Sequence, residues 1–441
     1  MDERKLLAEA MARAVLNGGL SRRGGRDRCA ILFGQRWAWV VPLAKRIVLR
    51  FGAGTRPRTF RVAEFILGDR GFLRAWQRHG AEIVVVGRFE PRMCPASGPP
   101  EQWGPPPILT AGELAGRLNL TAGELAWFAD GRMLERGLPP GPLRNYLYRW
   151  RKKADGSARL IESPKQRLKA IQRNILAGIL SVIPSHDAAH GFRTGRSIKS
   201  FTAPHIGREI VLKLDLKDFF PGVSKARVAA VFRTAGYPES VADLLAGLCV
   251  NSTPALVLAD RPSSPGERSG PAVCALYRRP HLPQGAPTSP ALGNLAAYRL
   301  DCRLTGLAKA AGAQYTRYAD DMAFSGGSDF ARGIKRFRAE VCEIALEEGF
   351  LVHPGKTRVM RKSIRQQAAG VVLNRRPNVA RPLFDRLKAI LHNCVIHGPA
   401  GQNRDKIPDF AAHLAGRIAH VGMLNPARGE KLRREFERIC W

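Results

Sequence analysis

Short apolar runs mark the strands that the central part of this chain is expected to form. Residues 210–214 (IVLKL) are mostly apolar and lead into Asp215, which predicts a buried strand with an acid at its end. Because side chains alternate along a strand, Val211, Lys213 and Asp215 are expected on one face. Such an acid either is capped by the following turn or holds a cation, and the strand alone leaves both alternatives open.

A β-hairpin is predicted at residues 318–321 (YADD), because runs of alternating character flank it at 314–317 and 322–325. Asp320 and Asp321 are expected at the tip of this hairpin. Adjacent carboxylates repel and are costly to bury unpaired, so such a pair usually needs a cation. The simpler alternative is a solvated acidic turn, which an isolated Asp-Asp pair favours.

The N-terminal block, residues 1–94, is predicted to be a small basic α/β extension without a catalytic motif. Its helix is expected at 5–15 and a basic loop at 21–28, and three short apolar runs predict strands at 29–33, 47–51 and 83–86. Residues 95–107 are rich in proline and predict an extended linker. Residues 108–143 carry two Thr-x-x-Glu capping boxes, which predict a helical lead-in with helices at 111–118 and 122–136.

Residues 144–173 combine many basic side chains with interleaved aromatic ones. A turn is predicted at 153–157, with 158–161 as the returning strand of a hairpin. Basic residues position phosphates and aromatic rings stack on bases, so the segment suits nucleic-acid binding. A solvated charged face is the equally weighted alternative.

The overall charge favours a polyanionic partner. The chain has 441 residues, with 71 Lys and Arg against 37 Asp and Glu, for a formal net charge of +34. Each cation placed on a phosphate releases counterions, which drives binding to nucleic acid. No apolar run reaches the roughly 18 residues of a spanning helix, and the cysteines are scattered singly. These features predict a cytoplasmic protein without a membrane partner.

Asp215, Asp320 and Asp321 together suit a site for two magnesium ions. Magnesium prefers oxygen ligands and keeps some of its waters, so few carboxylates suffice. Two ions can activate an attacking hydroxyl and steady a leaving phosphate oxygen. The chemistry predicted is phosphoryl transfer that depends on positioning and electrostatics. Between the acids, residues 281–290 form a Pro- and Gly-containing loop of the kind that approaches a ligand closely.

The order of these motifs resembles that of the reverse transcriptase family. The matching segments are 159–164 (RLIESP), 168–172 (LKAIQ), 214–220 (LDLKDFF), 282–290 (LPQGAPTSP), 318–321 (YADD) and 370–374 (GVVLN). The resemblance covers about residues 140–441. It implies an α+β, right-hand polymerase with fingers and palm at 144–375, an antiparallel sheet in the palm, and a helical thumb at 376–441.

The resemblance also implies roles for individual residues. Asp215, Asp320 and Asp321 match the family's catalytic metal ligands, which hold two Mg²⁺ ions. The residues that match its nucleotide-binding positions are Lys152 and Arg159 on the triphosphate, Phe220 against a ribose 2′-hydroxyl, Gln284 on the incoming nucleotide, and Lys356 near the leaving pyrophosphate.

Within this family the chain is most similar to bacterial retron enzymes, through residues 189–198 (AHGFRTGRSI), the helical lead-in and the stretch at 414–432. The class implies an RNA-directed DNA polymerase that copies a cognate structured non-coding RNA from deoxynucleoside triphosphates, in anti-phage defence and alongside an effector protein. The alternatives are another bacterial reverse transcriptase, of group II intron, diversity-generating or other defence-associated type, or a non-catalytic RNA-binding scaffold.

Overall fold

The structure is a computed structural model that describes residues 2–87, 89, 92–93, 104–152, 158–262 and 270–441. Of the predicted linker at 95–107, only 104–107 belong to the described residues, and the predicted turn at 153–157 lies outside them. The chain divides into two compact units, Met1–Pro184 with Phe220–Ala296 and Ser185–Phe219 with Ala297–Trp441. Every helix in the described ranges is too short or too polar to cross a bilayer.

The α-helices of the described residues are α1 Glu3–Leu16, α2 Arg22–Phe33, α3 Val40–Phe51, α4 Thr59–Leu67, α5 Arg70–His79, α6 Ala111–Leu118, α7 Ala122–Ala129, α8 Gln166–Gly178, α9 Ile198–Thr202, α10 Lys225–Thr234, α11 Glu239–Cys249, α12 Ala255–Ala259, α13 Gly270–Arg278, α14 Ser289–Ala296, α15 Tyr298–Ala310, α16 Ser328–Glu347, α17 Arg381–His397, α18 Phe410–Leu424 and α19 Pro426–Glu437. The strands are β1 Tyr146–Lys152, β2 Ala158–Pro164, β3 Ile210–Lys217, β4 Gln314–Tyr318, β5 Asp321–Gly326, β6 Leu351–Val352, β7 Arg358–Arg361, β8 Gln367–Ala368, β9 Val371–Val372 and β10 Asn378–Val379. All of their pairings are antiparallel. The expected mixture of helices with antiparallel sheets is confirmed.

The first unit begins with a bundle of helices, so the strands predicted at 29–33 and 47–51 are wrong. Those residues are the C-terminal halves of α2 and α3, and the predicted loop at 21–28 is the beginning of α2, capped by the Ser21 side chain. Residues 83–86 form no strand; Val86 N instead donates to Leu32 O at 2.9 Å. Short apolar runs fit a buried helix as well as a strand, and here they contribute to the buried faces of two helices.

The lead-in and hairpin follow their sequence signals more closely. The capping box of Thr121 and Glu124 starts α7 as predicted, but the helix ends at Ala129 rather than 136. Asp130 there adopts a left-handed φ of 40°, and its carboxylate accepts from the backbone N–H groups of Leu134 and Glu135. Strands β1 and β2 form the predicted hairpin.

The second unit is built on a five-stranded sheet of order β4-β5-β3-β6, with β7 also paired to β3. The predicted strand at 210–214 and the predicted hairpin are confirmed, although β3 continues past Asp215 to Lys217. One face of the sheet is covered by α15 and α16; there the ring of Phe324 stacks on Tyr315 at 4.6 Å and meets Phe337 edge-on at 5.1 Å. This apolar packing fixes the strand register on which the acids depend.

The C-terminal segment at 376–441 is mainly helical. Helices α17, α18 and α19 share a buried apolar core with the small sheet of β8, β9 and β10; it includes Leu387, Leu391, Leu414, Val421 and Leu432. Gly429 packs against Gly422 so closely that a Cβ on Gly429 would lie 2.3 Å from the Gly422 Cα. Only glycine therefore permits this approach of α19 to α18.

Candidate active site

The three predicted acids come together on two neighbouring strands. Asp215 of β3 lies directly opposite Asp321 of β5, and Asp320 occupies the turn that precedes Asp321. Directly opposed residues of an antiparallel pair have Cβ atoms about 4.5–5.5 Å apart. The strand register therefore brings carboxylates from sequence positions far apart into one cluster.

The turn that carries Asp320 is held by its backbone. Ala319 adopts a left-handed φ of 56°, and Leu216 N donates to Asp320 O at 2.8 Å. Gly191 approaches this turn so closely that a Cβ there would lie 2.7 Å from Ala319 N. Glycine is therefore required at position 191 of the 189–198 motif, because a side chain there would clash with the acidic turn.

A buried ion pair lies beneath the same turn. Arg317 Nε is 2.8 Å from Asp301 Oδ1, and Arg317 Nη2 is 2.6 Å from Asp301 Oδ2. Both side chains have no exposed surface. Arg317 Nη1 also donates to Ala319 O at 2.9 Å, and Tyr315 Oη donates to Asp301 Oδ1 at 2.8 Å. Arg317 thereby ties the acidic turn to helix α15.

The clustered acids are electrostatically strained. Burial and the charges of Asp215 and Asp321 raise the pKa of the Asp320 carboxyl. Burial likewise raises the pKa of Asp321, although Lys213 opposes the shift. A carboxyl whose pKa rises in this way is one whose negative charge lacks sufficient compensation.

Two lysines supply part of that compensation. Lys213 Nζ lies 2.9 Å from Asp321 Oδ1, and Lys356 Nζ lies 3.1 Å from Asp215 Oδ2. Lys213 occupies the face shared with Asp215, as predicted from strand alternation. Lys356, which the sequence associates with the leaving pyrophosphate, therefore contacts the acid cluster directly.

The donor set fits magnesium in its chemistry. Carboxylate oxygens are the ligands that Mg²⁺ prefers. The three carboxylates of the cluster have two lysine partners, so part of their negative charge is uncompensated. In the described ranges, no three His, Cys, Asp or Glu side chains already stand in the arrangement of a metal site. Asp215, Asp320 and Asp321 are the residues that would hold the ions.

The first unit contains the predicted nucleotide-binding residues Lys152, Arg159, Phe220 and Gln284, whereas the acids and Lys356 belong to the second. Lys152 and Arg159 are both exposed, and Phe220 is half-buried. In the hairpin register Arg159 lies opposite Arg151, and Lys152 lies opposite Ala158. Because opposed residues share a face and successive residues alternate, Arg151 rather than Lys152 lies on the face of Arg159.

Gln284 lies in a loop that is bonded to the hairpin. Glu162 N donates to Gln284 O at 2.8 Å, so strand β2 fixes the backbone of this loop. Gly285 has a φ of 133°, and a Cβ there would lie 2.9 Å from Glu162 O. Among the described residues, no donor reaches the buried Gln284 Oε1.

The buried Glu162 organises this part of the first unit. Its carboxylate accepts from Thr253 Oγ1 at 2.7 Å, from Asn251 Nδ2 at 2.8 Å and from His281 Nε2 at 2.8 Å. The other ring nitrogen of His281 lies 2.7 Å from Arg279 O. Since both ring nitrogens face acceptors, both carry protons and His281 is an imidazolium. Sequence reasoning missed this pair, because the two residues lie 119 positions apart.

The protonated state of His281 predicts a pH dependence of stability. Burial alone lowers the pKa of a histidine, but the Glu162 carboxylate outweighs burial and raises the pKa of His281. Below the ordinary value of about 6.5 the folded and unfolded chains both hold the proton, and the pair contributes fully. As the pH rises through the raised pKa, this contribution is lost.

We expect His281→Gln to reveal this loss, because glutamine can still donate to Glu162 but cannot titrate. In denaturant unfolding, the advantage of the wild type over His281→Gln should be larger at about pH 6 than at about pH 9. An advantage that is equal at both pH values would contradict the imidazolium assignment.

Comparison with known proteins identifies the family of the chain. The family profile described as reverse transcriptase (RNA-dependent DNA polymerase) matches residues 151–372. The chain is 40% identical over 341 residues to the retron Mx65 reverse transcriptase of Myxococcus xanthus, in a match covering 76% of this chain and 72% of that protein. It is 37% identical over 334 residues to the retron Mx162 reverse transcriptase of the same organism, covering 73% and 65%.

A more distant relative is the retron Ec86 reverse transcriptase of Escherichia coli, which is 30% identical over 236 residues and matches 53% of this chain and 65% of its own length. The profile spans about half of the chain, and the Mx65 enzyme is aligned over most of its own length. The chain therefore belongs to the retron reverse transcriptases, a group of RNA-directed DNA polymerases.

Proposed function

We propose that this enzyme copies a cognate structured non-coding RNA into DNA by two-metal nucleotidyl transfer. The observation that carries the mechanism is the cluster of Asp215, Asp320 and Asp321 on paired strands, with raised carboxyl pKa values at 320 and 321. We assign the right-hand architecture accordingly, with the β1–β2 hairpin in the fingers, the five-stranded sheet in the palm, and α17 to α19 in the thumb.

The acids of the palm sheet hold two Mg²⁺ ions in this proposal. Bound at these carboxylates, two such ions would supply activation of the primer hydroxyl and stabilisation of charge on the transferred and leaving phosphates. Lys356 Nζ lies 3.1 Å from Asp215 Oδ2. From this position the lysine can donate a proton to the departing pyrophosphate or neutralise part of its charge. Lys213, 2.9 Å from Asp321, balances part of the negative charge of that carboxylate.

The remaining roles concern the incoming nucleotide. Arg159 binds the triphosphate in this proposal. The family resemblance assigns Lys152 to the same role, and Arg151 lies on the same face of the hairpin as Arg159. A planar guanidinium suits this task, since it offers two parallel donors to phosphate oxygens. Gln284 uses its unpaired side-chain oxygen to contact the nucleotide, and its backbone is fixed by Glu162.

The positive charge of the chain supports a nucleic-acid partner. The net charge is +34, and the thumb helices expose Arg381, Arg386, Lys388, Lys431, Arg433 and Arg434. These side chains are suited to phosphate contacts that position RNA without reading its sequence. By its similarity to retron enzymes we further propose a cytoplasmic role in anti-phage defence, with an effector protein as an additional partner.

The proposed function is tested by primer extension on an RNA template with Mg²⁺ and deoxynucleoside triphosphates. Sequencing of nucleic acid that co-purifies with the protein should identify both an RNA and a DNA copied from it. DNA synthesis that requires the RNA template is the expected result. A protein that binds RNA but never extends a primer would instead be a non-catalytic scaffold.

We expect Phe220→Ala to relax the discrimination against ribonucleotides. A bulky ring at this position excludes the 2′-hydroxyl, and its removal should raise the relative efficiency of ribonucleotide incorporation by roughly 10–200-fold. The measurement is kcat/KM for a ribonucleotide and for its deoxy counterpart. Phe220→Tyr keeps the bulk and is the matched control. An unchanged ratio for Phe220→Ala would show that another residue excludes the hydroxyl.

A further inference from the structure

A cavity of about 310 Å³ in the first unit lies away from every residue assigned above. Its wall is formed by the N-terminal helical block on one side and by the region of α10 and α11 on the other. Its lining residues include Arg13, Arg56, Phe89, Arg92, Arg233 and Glu239. The cavity is at the lower end of the size range of small-ligand sites.

The charge of this wall is predominantly positive. Among the described residues, four arginines line it against one acid, Glu239, and Arg13 is also paired with Glu9 at 3.1 Å. The Glu239 carboxylate is already engaged, since its Oε2 accepts from Thr59 N at 2.8 Å and from Thr59 Oγ1 at 2.6 Å. Bringing several cations to one wall is unfavourable unless an anion joins them.

Two of these arginines have a buried N–H group without a hydrogen-bond acceptor among the described residues. Arg56 Nη1 donates to Leu16 O and Gly18 O, both at 3.1 Å, but in the described chain Arg56 Nε is buried without an acceptor. Arg233 Nε lies 3.4 Å from Arg56 O, and its buried Nη1 likewise has no acceptor there. A buried donor left unpaired costs about 1–3 kcal/mol, and more when it is charged.

Burial also disfavours the charge of Arg233. Burial and the nearby Arg58 charge lower the pKa of its guanidinium, so the protein holds a cation where it is disfavoured. Attachment of the N-terminal block does not require this arrangement. Arg58 Nη2 pairs with Asp243 at 2.8 Å, and Thr59 binds Glu239, so separate contacts join the block to α11.

We propose that this cavity binds a phosphate group. Guanidinium groups offer paired donors that match phosphate oxygens, and a phosphate would supply the negative charge that this arginine-rich wall lacks. Arg92 extends the set, because its Nη2 lies 2.8 Å from the position of a Cβ on Gly18, whose carbonyl binds Arg56. The half-buried ring of Phe89 offers an apolar surface beside the cations, on which a nucleobase can stack.

The phosphate can come from nucleic acid or from a free small molecule, and the experiment separates these sources. Inorganic phosphate, adenosine monophosphate and a short oligoribonucleotide with either a 5′-phosphate or a 5′-hydroxyl are titrated into the full-length protein. Calorimetry follows the small ligands and fluorescence anisotropy follows the oligonucleotides. Tighter binding of the 5′-phosphorylated oligonucleotide indicates a nucleic-acid end, whereas binding of the small ligands alone indicates a free metabolite.

Arg233→Met is the main variant, since it removes the charge and keeps the aliphatic stem. It should weaken the affinity for the phosphate ligand by about 10- to 100-fold, as expected for the loss of hydrogen bonds to a charged group. Arg74→Met on α5 makes the same charge change at an exposed position and should leave the affinity unchanged.

A second readout avoids dependence on the folding of the variant. Phosphate should raise the thermal unfolding midpoint of the wild-type protein more than chloride does at equal ionic strength, because a ligand of the folded state stabilises it. Equal affinity of wild type and Arg233→Met for every ligand would overturn the proposal. Absence of any phosphate-specific stabilisation and binding would overturn it as well.

Discussion

Replacing both Asp320 and Asp321 with alanine should abolish RNA-templated DNA synthesis. Asp215 and Asp321 lie opposite each other in the β3–β5 register and Asp320 precedes Asp321, so the double variant loses two of the three proposed metal ligands. Removing even one electrostatic contact to a transition state typically costs on the order of 10²–10³ in kcat, and two ligands should cost at least that much. Primer extension under single-turnover conditions measures the loss.

The same variant should unfold at a higher temperature than the wild type. Burial and mutual repulsion raise the pKa of the two carboxyls, so their charges oppose folding at neutral pH. Asp329→Ala, at an exposed acid at the start of α16, is the matched control and should leave DNA synthesis unchanged without raising the unfolding temperature. DNA synthesis that survives in the double variant would refute the two-metal assignment. Retained RNA affinity together with lost synthesis would separate catalysis from binding.

Arg317→Met should produce the largest loss of stability expected for a single substitution in the second unit. It leaves the fully buried Asp301 carboxylate without its bidentate partner, and breaking a buried pair in this way typically costs about 3–5 kcal/mol. The acidic turn should also lose its tie at Ala319 O, so DNA synthesis should fall together with stability. Denaturant unfolding and primer extension provide the two measurements.

A double variant distinguishes the two consequences of Arg317→Met. Arg317→Met with Asp301→Leu removes both buried charges, and replacement of a whole pair by apolar groups is often nearly neutral for stability. We therefore expect stability to recover in the double variant while activity stays low, because the tie to Ala319 remains absent. Recovery of activity along with stability would show that Arg317 serves only the packing of α15.

The acid cluster could be predicted from sequence because its signals are local. The strand before Asp215 and the alternating runs around Asp320 and Asp321 each occupy fewer than about ten residues, a length that strand periodicity covers. The pairing of β3 with β5 was not predicted and is known from the structure alone. The buried Arg317–Asp301 pair beneath the acidic turn could not be predicted in this way. An arginine in a strand and an aspartate in a helix carry no local signal that they form an ion pair.

The N-terminal block shows the opposite case. Its apolar runs at 29–33 and 47–51 have the length and composition of strands, and only the helical spacing of buried Leu43, Ala44 and Ile47 indicates α3. The roles of Lys152 and Arg159 came from the family resemblance, which carries no information about strand faces. The observed register adds that Arg151, and not Lys152, shares the face of Arg159.

The pairing of β3 with β5 and β7 has a consequence for the order of events during synthesis. Residues 210–217 emerge from the ribosome long before 321–326 and 358–361, their partners in the sheet. Such long-range pairings form late and slowly, and β3 needs protection until then. A nascent chain truncated before residue 321 therefore cannot assemble the acid cluster. Polymerase activity is expected to appear only after residues 358–361 have also been translated, which keeps incomplete products from copying RNA.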